Sequence, residues 1–373
     1  MKLLIISHVL HKSFNKRIYG YGPYIREINI WEKYIDTLII VAPKVSTSPS
    51  AIDLAYNSDK IKFIEVPQIN LVGIKNSIQA VINIPVILLQ IFSAMNQADH
   101  IHLRCPGNMG LLGSLMQIFF PKKKKTAKYA GNWDPNMKKI KSYNLQRTIL
   151  SNTFLSRNIK VLVYGEWPNQ SANILPFFTA SYHENEKSQI FPRQFAGLIK
   201  CLYCGFLLKE KRALQSIQVV EQLHKMGYDI ELTLLGDGPE YHTLHKYIQQ
   251  NQLEDFIYLK GNVDANEVKE YMKNAHFLTF YGHDSEGWPK VVAESMFWGC
   301  VPLVRSVSCT RFMLGEGERG TIVQDSVSSM VDGVLFYLNN PYKYHTTSIN
   351  AMNWSREYTL ERFKTEIKSL ICE

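Results

Sequence analysis

At 373 residues the chain is long enough for two domains of ordinary size, each with its own core. Residues 1–180 hold 22 Lys and Arg against 9 Asp and Glu, while residues 181–373 hold 20 against 24, so the basic excess behind the net charge of +9 belongs to the N-terminal half. There is no zinc spacing and no nucleic-acid-binding motif, so an anionic membrane and not nucleic acid is the expected partner of that charge, and nothing implies a metal or a cofactor. Met1-Lys2 leads straight into Leu3–Ile6, a short strand and not a leader with a cleavage site, so a cytoplasmic protein is expected. Lys2–Ser7, Thr37–Ala42, Lys62–Val66, His100–Leu103, Thr126–Ala130 and Val161–Tyr164 read as strands separated by helical stretches, the pattern of a parallel sheet. Gly20-Tyr21-Gly22-Pro23 reads as a loop after the first strand. Residues 76–98 carry no charge, but Gln79, Asn83, Pro85, Gln90 and Asn96 interrupt them, so this helix is expected to be buried or interfacial, not spanning. The apolar stretch Leu111–Phe120 runs into Lys122–Lys125, a greasy helix ending at four lysines, which suits an anionic membrane surface. At the strand ends, Arg104, Asn132 and Asp134 fall where ligands of open α/β sheets bind, with Asp134 placed either to cap the turn before Pro135 or to assist an acceptor.

Residues 166–193, with Pro168, Pro176 and Pro192 and weak periodicity, form the expected crossover between domains. Leu202–Leu208 is a strand that breaks at Gly205 into a loop carrying Lys211 towards the next helix. Cys201 and Cys204 in that strand point to opposite faces, so their C-x2-C is core and not a metal site. Ile230–Leu235 runs into the turn Gly236-Asp237-Gly238-Pro239 and a helix to Gln250, and Phe256–Val263 repeats the pattern with Gly261 and Val263 in its loop. The most informative stretch is Ser285–Glu294. Glu286 lies on the loop before a helix, Gly287 permits close approach of the backbone, Pro289 suits the first turn, and Glu294 projects from the helix body about one and a half turns on. Between the two carboxylates the amides near Lys290, Val291 and Val292 favour phosphate, while each carboxylate can accept bonds from vicinal hydroxyls. The implied ligand has hydroxyls at both ends and phosphate in the middle, as a nucleotide sugar does. Asn353–Phe363 opens a last amphipathic helix, capped by Ser355 or Thr359.

Glu286 to Pro302, with Glu294, Ser295-Met296 and Gly299-Cys300-Val301-Pro302, resembles the E-x7-E block of retaining glycosyltransferases of family 4. The resemblance implies that Glu286 holds the transferred sugar, that Glu294 binds the ribose, and that Gly287, Trp288, Pro289, Lys290, Val291 and Val292 line the donor. Gly205 and Lys211 resemble the Gly-Arg/Lys-Leu-x3-Lys motif whose two cations clamp the donor diphosphate. Lys211 matches the second cation, and Phe206 stands in place of the first, so either Lys209, Arg212 or Lys290 substitutes or activity is weak. Gly261 and Val263 resemble the segment that reads the base, and Gly22 the glycine loop near diphosphate and acceptor.

By this resemblance the fold is α/β and GT-B: two Rossmann-like parallel-sheet domains facing a central cleft, residues 1–185 on the acceptor side with a hinge at about 166–193, residues 186–352 binding the nucleotide sugar, and residues 353–373 a helix returning to the first domain. The function implied is metal-independent, retaining transfer from a UDP- or GDP-sugar to a glycan acceptor, lipid-linked or membrane-held, in bacterial surface polysaccharide biosynthesis. A non-catalytic nucleotide-sugar scaffold, or a GT-B phosphorylase or epimerase, is the alternative.

Overall fold

The computed structural model describes residues 1–50, 52–70, 73–137 and 140–372. By its contacts the chain forms two units, Met1–Phe177 joined by the residues from Phe363 onward, and Phe178–Arg362.

The first unit contains β1 (Lys2–Ile6), β2 (His11–Phe14), β3 (Arg17–Tyr21), α1 (Gly22–Trp31), β4 (Thr37–Val45), β5 (Asp53–Ala55), β6 (Ile61–Val66), α2 (Ile74–Gln97), β7 (His100–Cys105), α3 (Asn108–Met116), β8 (Lys124–Tyr129), α4 (Lys141–Ser151), β9 (Ile159–Tyr164) and β10 (Ile174–Phe177). Strands β10, β9, β8, β7, β1, β4 and β6 form a wholly parallel sheet, as the alternation of strand and helix signals requires. Both faces are covered, so its strands are apolar runs: Leu3 to Ile6 and Leu38 to Ala42 are all buried. One face packs Leu4, Ile6, Ile39, Ile101, Leu103 and Val161 under Ile87, Ile91 and Met95 of α2 and Met109 and Leu112 of α3.

Three departures from the sequence reading have physical causes. The loop expected around Gly20 is the end of a hairpin: β2 and β3 pair antiparallel across Asn15 and Lys16, which both have positive φ (47° and 61°) as a two-residue turn of the favoured hand demands, and β5 adds to the edge. The four lysines do not end a helix, because β8 begins at Lys124. Lys123 Nζ donates to the carbonyls of Met95, Asn96 and Ala98 at 2.7, 2.8 and 2.6 Å, closing the C-terminus of α2, and Lys125, 2% exposed, donates to the carbonyls of Gln117 and Phe120. Only Lys122 and Lys124 of the four are exposed. Helix α2 is both buried and bare. Ala80, Ile87, Ile91, Ala94 and Met95 face the core, while Ile78, Val81, Ile82, Val86, Leu89 and Phe92 form an outward apolar stripe, Leu89 71% exposed. Ile78–Gln97 is long and apolar enough to cross a membrane by composition, yet its inner face belongs to the sheet's core, as a packed domain helix requires.

The second unit contains β11 (Ile199–Cys204), α5 (Ala213–Lys225), β12 (Ile230–Leu235), α6 (Tyr241–Gln250), β13 (Ile257–Gly261), α7 (Ala265–Asn274), β14 (Phe277–Phe280), α8 (Lys290–Phe297), β15 (Val301–Arg305), α9 (Thr310–Leu314), β16 (Thr321–Val323), α10 (Val327–Asn339) and α11 (Pro341–Ser355), and α12 (Leu360–Cys372) begins there. Its sheet is parallel, in the order β13-β12-β11-β14-β15-β16. The segment after Phe178 is buckled to this unit: the Arg193 guanidinium donates to the carbonyls of Met272, Lys273, Trp298 and Gly299. Asp264 caps α7 with a capping box to Glu267, and Ser326 caps α10. From Phe363 onward α12 belongs to the first unit, where Phe363 packs on Phe177 and lies 5.2 Å beneath the ammonium of Lys128, itself paired with Glu27 at 2.7 Å. Cys201 is buried core, as expected of that strand.

Candidate functional site

Strand β11 has β12 on one side and β14 on the other, so chain order reverses between β11 and β14. Loops leaving the C-terminal ends of two such strands diverge and open a crevice, the usual ligand position of an open α/β sheet. The loop after β11 carries Gly205 to Arg212, and the loop after β14 carries Gly282 to Pro289. Across this switch point Lys211 Nζ is ion-paired with Glu286 Oε1, joining residues 75 apart in sequence; their side chains are 27% and 15% exposed.

Backbone geometry explains the glycines. Gly205 (φ 158°) and Gly236 (φ 139°) lie against each other, and a Cβ on Gly236 would sit 2.0 Å from the Gly205 carbonyl. Leu207 donates to the Asp237 carbonyl at 2.9 Å, so the Gly236-Asp237-Gly238 turn braces the Lys211 loop. Gly261 and Val263 follow β13, beside that turn: Gly236 donates to the Gly261 carbonyl at 2.8 Å. The Glu286 loop is pinned by Ser308 Oγ and Cys309 Sγ, both donating to the Gly287 carbonyl at 2.9 and 3.2 Å, and by Arg305 Nε donating to the Tyr281 carbonyl at 3.0 Å.

Pro289 is the residue before α8 and not its first turn. Val292 donates back to the Pro289 carbonyl at 3.0 Å, so one of the three amides expected over the helix start is already engaged. Trp288 turns inward: it is 6% exposed and stacks on Trp354, so its ring belongs to packing. Glu294 Oε1 accepts from Ser181 Oγ at 2.5 Å. Burial, with the Glu294 charge behind it, pushes the Cys204 thiol up to about 12 and holds the Tyr182 phenol well above its ordinary range. Glu294 therefore lies near Cys204, the last residue of β11.

At Phe206 the expected cation is absent, and Arg212, one of the three substitutes considered, is already engaged. Phe206 is 56% exposed, Arg212 is ion-paired to Asp325, and Arg305 is paired to Asp284 and to Asp325. Sequence reasoning missed Ser181, Arg305 and Asp325, which no local signal in the sequence marks.

The first-unit candidates are placed by themselves. Gly22 opens α1 and donates to the Ile52 carbonyl at 2.8 Å; a Cβ there would meet that oxygen at 2.7 Å, so glycine is required for close packing. Arg104 lies at the end of β7 with its guanidinium 5.4 Å from the Tyr24 ring centroid. Asn132 is buried and accepts from the Asp134 amide at 2.9 Å, and Asp134 accepts from the Asn136 amide at 2.8 Å, the turn-capping role of the two weighed for it.

Residues 186–354 match the family model described as Glycosyl transferases group 1. An uncharacterized glycosyltransferase of Haemophilus influenzae is 26% identical over 174 residues, 46% of this chain and 48% of that protein, so the match spans about half the length of the relative. Among solved structures, Anabaena HepE in complex with UDP and glucose superposes with a TM-score of 0.67 at 12% identity, covering 100% of this chain and 99% of that one. Sucrose-phosphate synthase from Thermosynechococcus elongatus gives 0.67 at 13% identity over 99% and 98% of the two chains. WaaG, a glycosyltransferase involved in lipopolysaccharide biosynthesis, gives 0.64 at 11% over 100% of both. Two parallel-sheet units and these likenesses make the fold GT-B, and it is residues 186–354 within it that match the Glycosyl transferases group 1 model.

Proposed function

We propose that the protein is a retaining glycosyltransferase of family 4 type that moves a sugar from a UDP- or GDP-sugar to an acceptor hydroxyl, without a metal ion. The observation that carries the reading is the Lys211–Glu286 pair at the switch point, with Glu294 near Cys204, the last residue of β11. In this mechanism Glu286 orients the sugar, Glu294 accepts the ribose hydroxyls, and Lys211 with the amides of Lys290 and Val291 holds the diphosphate. The bond from the anomeric carbon to the phosphate oxygen breaks as the acceptor oxygen attacks from the same face. The acceptor proton passes to the leaving phosphate, so no enzymatic base is needed. Charge grows on that phosphate in the transition state, and a cation aimed there acts on kcat. Support for the donor class comes from HepE, solved with UDP and with UDP-glucose; metal independence rests on the absence of an Asp-x-Asp motif.

Phe206 favours a second reading, a nucleotide-sugar-binding scaffold, because an exposed aromatic replaces a phosphate-clamping cation. Nucleotide release from UDP-glucose and GDP-mannose, with and without glycan acceptors and with EDTA, separates the two. Transfer with an unchanged anomeric configuration, insensitive to EDTA, is expected. An inverted product, or activity lost in chelator and restored by manganese, sinks the mechanism, and binding without turnover establishes the scaffold.

The acceptor we propose is a lipid-linked or membrane-held glycan of bacterial surface polysaccharide synthesis, reached from the cytoplasmic face. The support is α2: its six outward apolar side chains lie on a helix with no acidic residue, in a half of the chain rich in Lys and Arg, with exposed Lys122 next in the chain to Lys123, which closes its C-terminus. Apolar stripes of this kind lie in the headgroup layer. Val86→Asp with Leu89→Asp should leave the protein in the supernatant after sedimentation with phosphatidylglycerol vesicles, where the parent chain pellets; equal sedimentation of both removes the membrane from the proposal.

A further inference from the structure

Arg104 is the last residue but one of β7 and lies on the sheet face that α1 covers. His100 and His102 precede it on that face, and the His102 ring packs on Trp31 of α1 with 4.4 Å between centroids. Ile101, Leu103 and Cys105 alternate with them into the core under α2 and α3. Strands β1 and β7 pair in parallel with Ile6 opposite Leu103, so the chain leaves both at neighbouring points of the C-terminal end of the sheet. Ligands of open parallel sheets bind at that end. The loop from β1 carries His8, and the loop from β7 carries Gly107, whose φ is 142°. A Cβ on Gly107 would stand 3.0 Å from His8 Nδ1, so glycine is what admits the imidazole beside the end of the Arg104 strand. Gly107 also directly precedes α3, which places the positive end of that helix at the same loop.

Arg104 is half-buried, yet it makes no ion pair and no hydrogen bond among the described residues. Its guanidinium lies 5.4 Å from the ring centroid of Tyr24, itself 3% exposed. Glu27, about one turn further along α1, pairs with Lys128 at 2.7 Å instead. Packing over a ring uses the flat face of the guanidinium, and the N–H donors in its plane stay unmatched by any acceptor of the described chain. Donors drawn partly out of water without acceptors are costly, and a ligand that supplies acceptors is favoured. His8 makes no hydrogen bond among the described residues either. Burial, then the charge of Arg104, holds its imidazole below the ordinary pKa. The two groups oppose each other's charge, and an anion between them attracts both.

We propose that Arg104 and His8 hold a carboxylate or phosphate carried by the acceptor, so that the acceptor is an acidic glycan and not a neutral one. This rests on the reading of the first unit as the acceptor side. The guanidinium fork meets either anion with two parallel hydrogen bonds, whereas a neutral hydroxyl leaves its charge unanswered. None of the donor-site residues takes part, because Lys211, Glu286 and Glu294 all belong to the second unit.

The test is titration calorimetry of the full chain with methyl glucuronide, glucose 6-phosphate and the neutral methyl glucoside, each repeated with saturating UDP. At least one acidic sugar should bind about tenfold or more tighter than methyl glucoside and stay bound beside UDP. The tighter of the two identifies carboxylate or phosphate as the recognised group. Arg104→Gln should weaken that sugar by about tenfold or more, and His8→Ala, at an exposed position, by about threefold or more. Neither should change UDP affinity or the circular-dichroism melt. Methyl glucoside binding as well as the acidic sugars, displacement of the acidic sugar by UDP, or undiminished affinity in both variants overturns the assignment. The readout needs no turnover. UDP binding without any acidic sugar bound rejects this anion site alone, whereas an acidic sugar held through Arg104 by a protein that transfers no sugar rejects the transferase reading.

Discussion

Lys211→Ala is expected to lower kcat for sugar transfer by about 100-fold or more while the affinity for UDP falls only severalfold. Removing one donor aimed at developing charge typically costs about 3 to 4 kcal/mol in an active site. The cost here should fall in that range, since Phe206 supplies no cation of its own and Arg212 is already bound to Asp325. Uniform binding would raise KM instead, so the split between kcat and KM identifies the group that works in the transition state. Because Lys211 and Glu286 form one ion pair, their losses should not add: Glu286→Gln leaves Lys211 without its positioning partner, and the double variant should be little worse than the poorer single one. A kcat within threefold of the parent after Lys211→Ala, about 0.7 kcal/mol, assigns the diphosphate to another residue. Phe206→Arg is the gain-of-function counterpart and should raise turnover.

Glu294→Ala should weaken UDP binding by about 10- to 100-fold with kcat at saturation nearly unchanged. A carboxylate accepting from ribose hydroxyls makes charged hydrogen bonds worth about 1.5 to 3 kcal/mol, alike in ground and transition states. Ser181 holds the carboxylate from the protein side, so Ser181→Ala should weaken UDP less, by freeing one oxygen without removing it. 2′-Deoxy-UDP is the matching ligand change: it should bind the parent more weakly than UDP and bind Glu294→Ala about as well as UDP does. If UDP retains its full affinity for Glu294→Ala in calorimetry, the ribose contact is elsewhere.

What the amino-acid order determined by itself was whatever repeats locally. Leu3–Ile6, Leu38–Ala42 and Val161–Tyr164 are apolar on both faces, which only a strand covered on both sides satisfies, and they lie in the parallel sheet within three residues of the expected bounds. The helix start after Glu286 and the loop carrying Lys211 were legible for the same reason, as glycine and proline restrict the backbone wherever they stand. That Lys211 would meet Glu286 depended on resemblance, because nothing in 75 intervening residues states which strands become neighbours. Tertiary structure alone decided the fate of charge and apolar surface. Lys122–Lys125 is one uniform run, yet Lys123 closes a helix brought in from elsewhere in the chain, Lys125 is buried on the carbonyls of Gln117 and Phe120, and Lys122 and Lys124 are exposed. Helix α2 is apolar almost all round, so its sequence could not say which side the sheet would cover. The Ser181 bond to Glu294 and the Arg212 pair with Asp325 join residues 113 apart. Short-range patterning records the conformation of a segment, whereas a site is set by which segments the packed sheet places side by side.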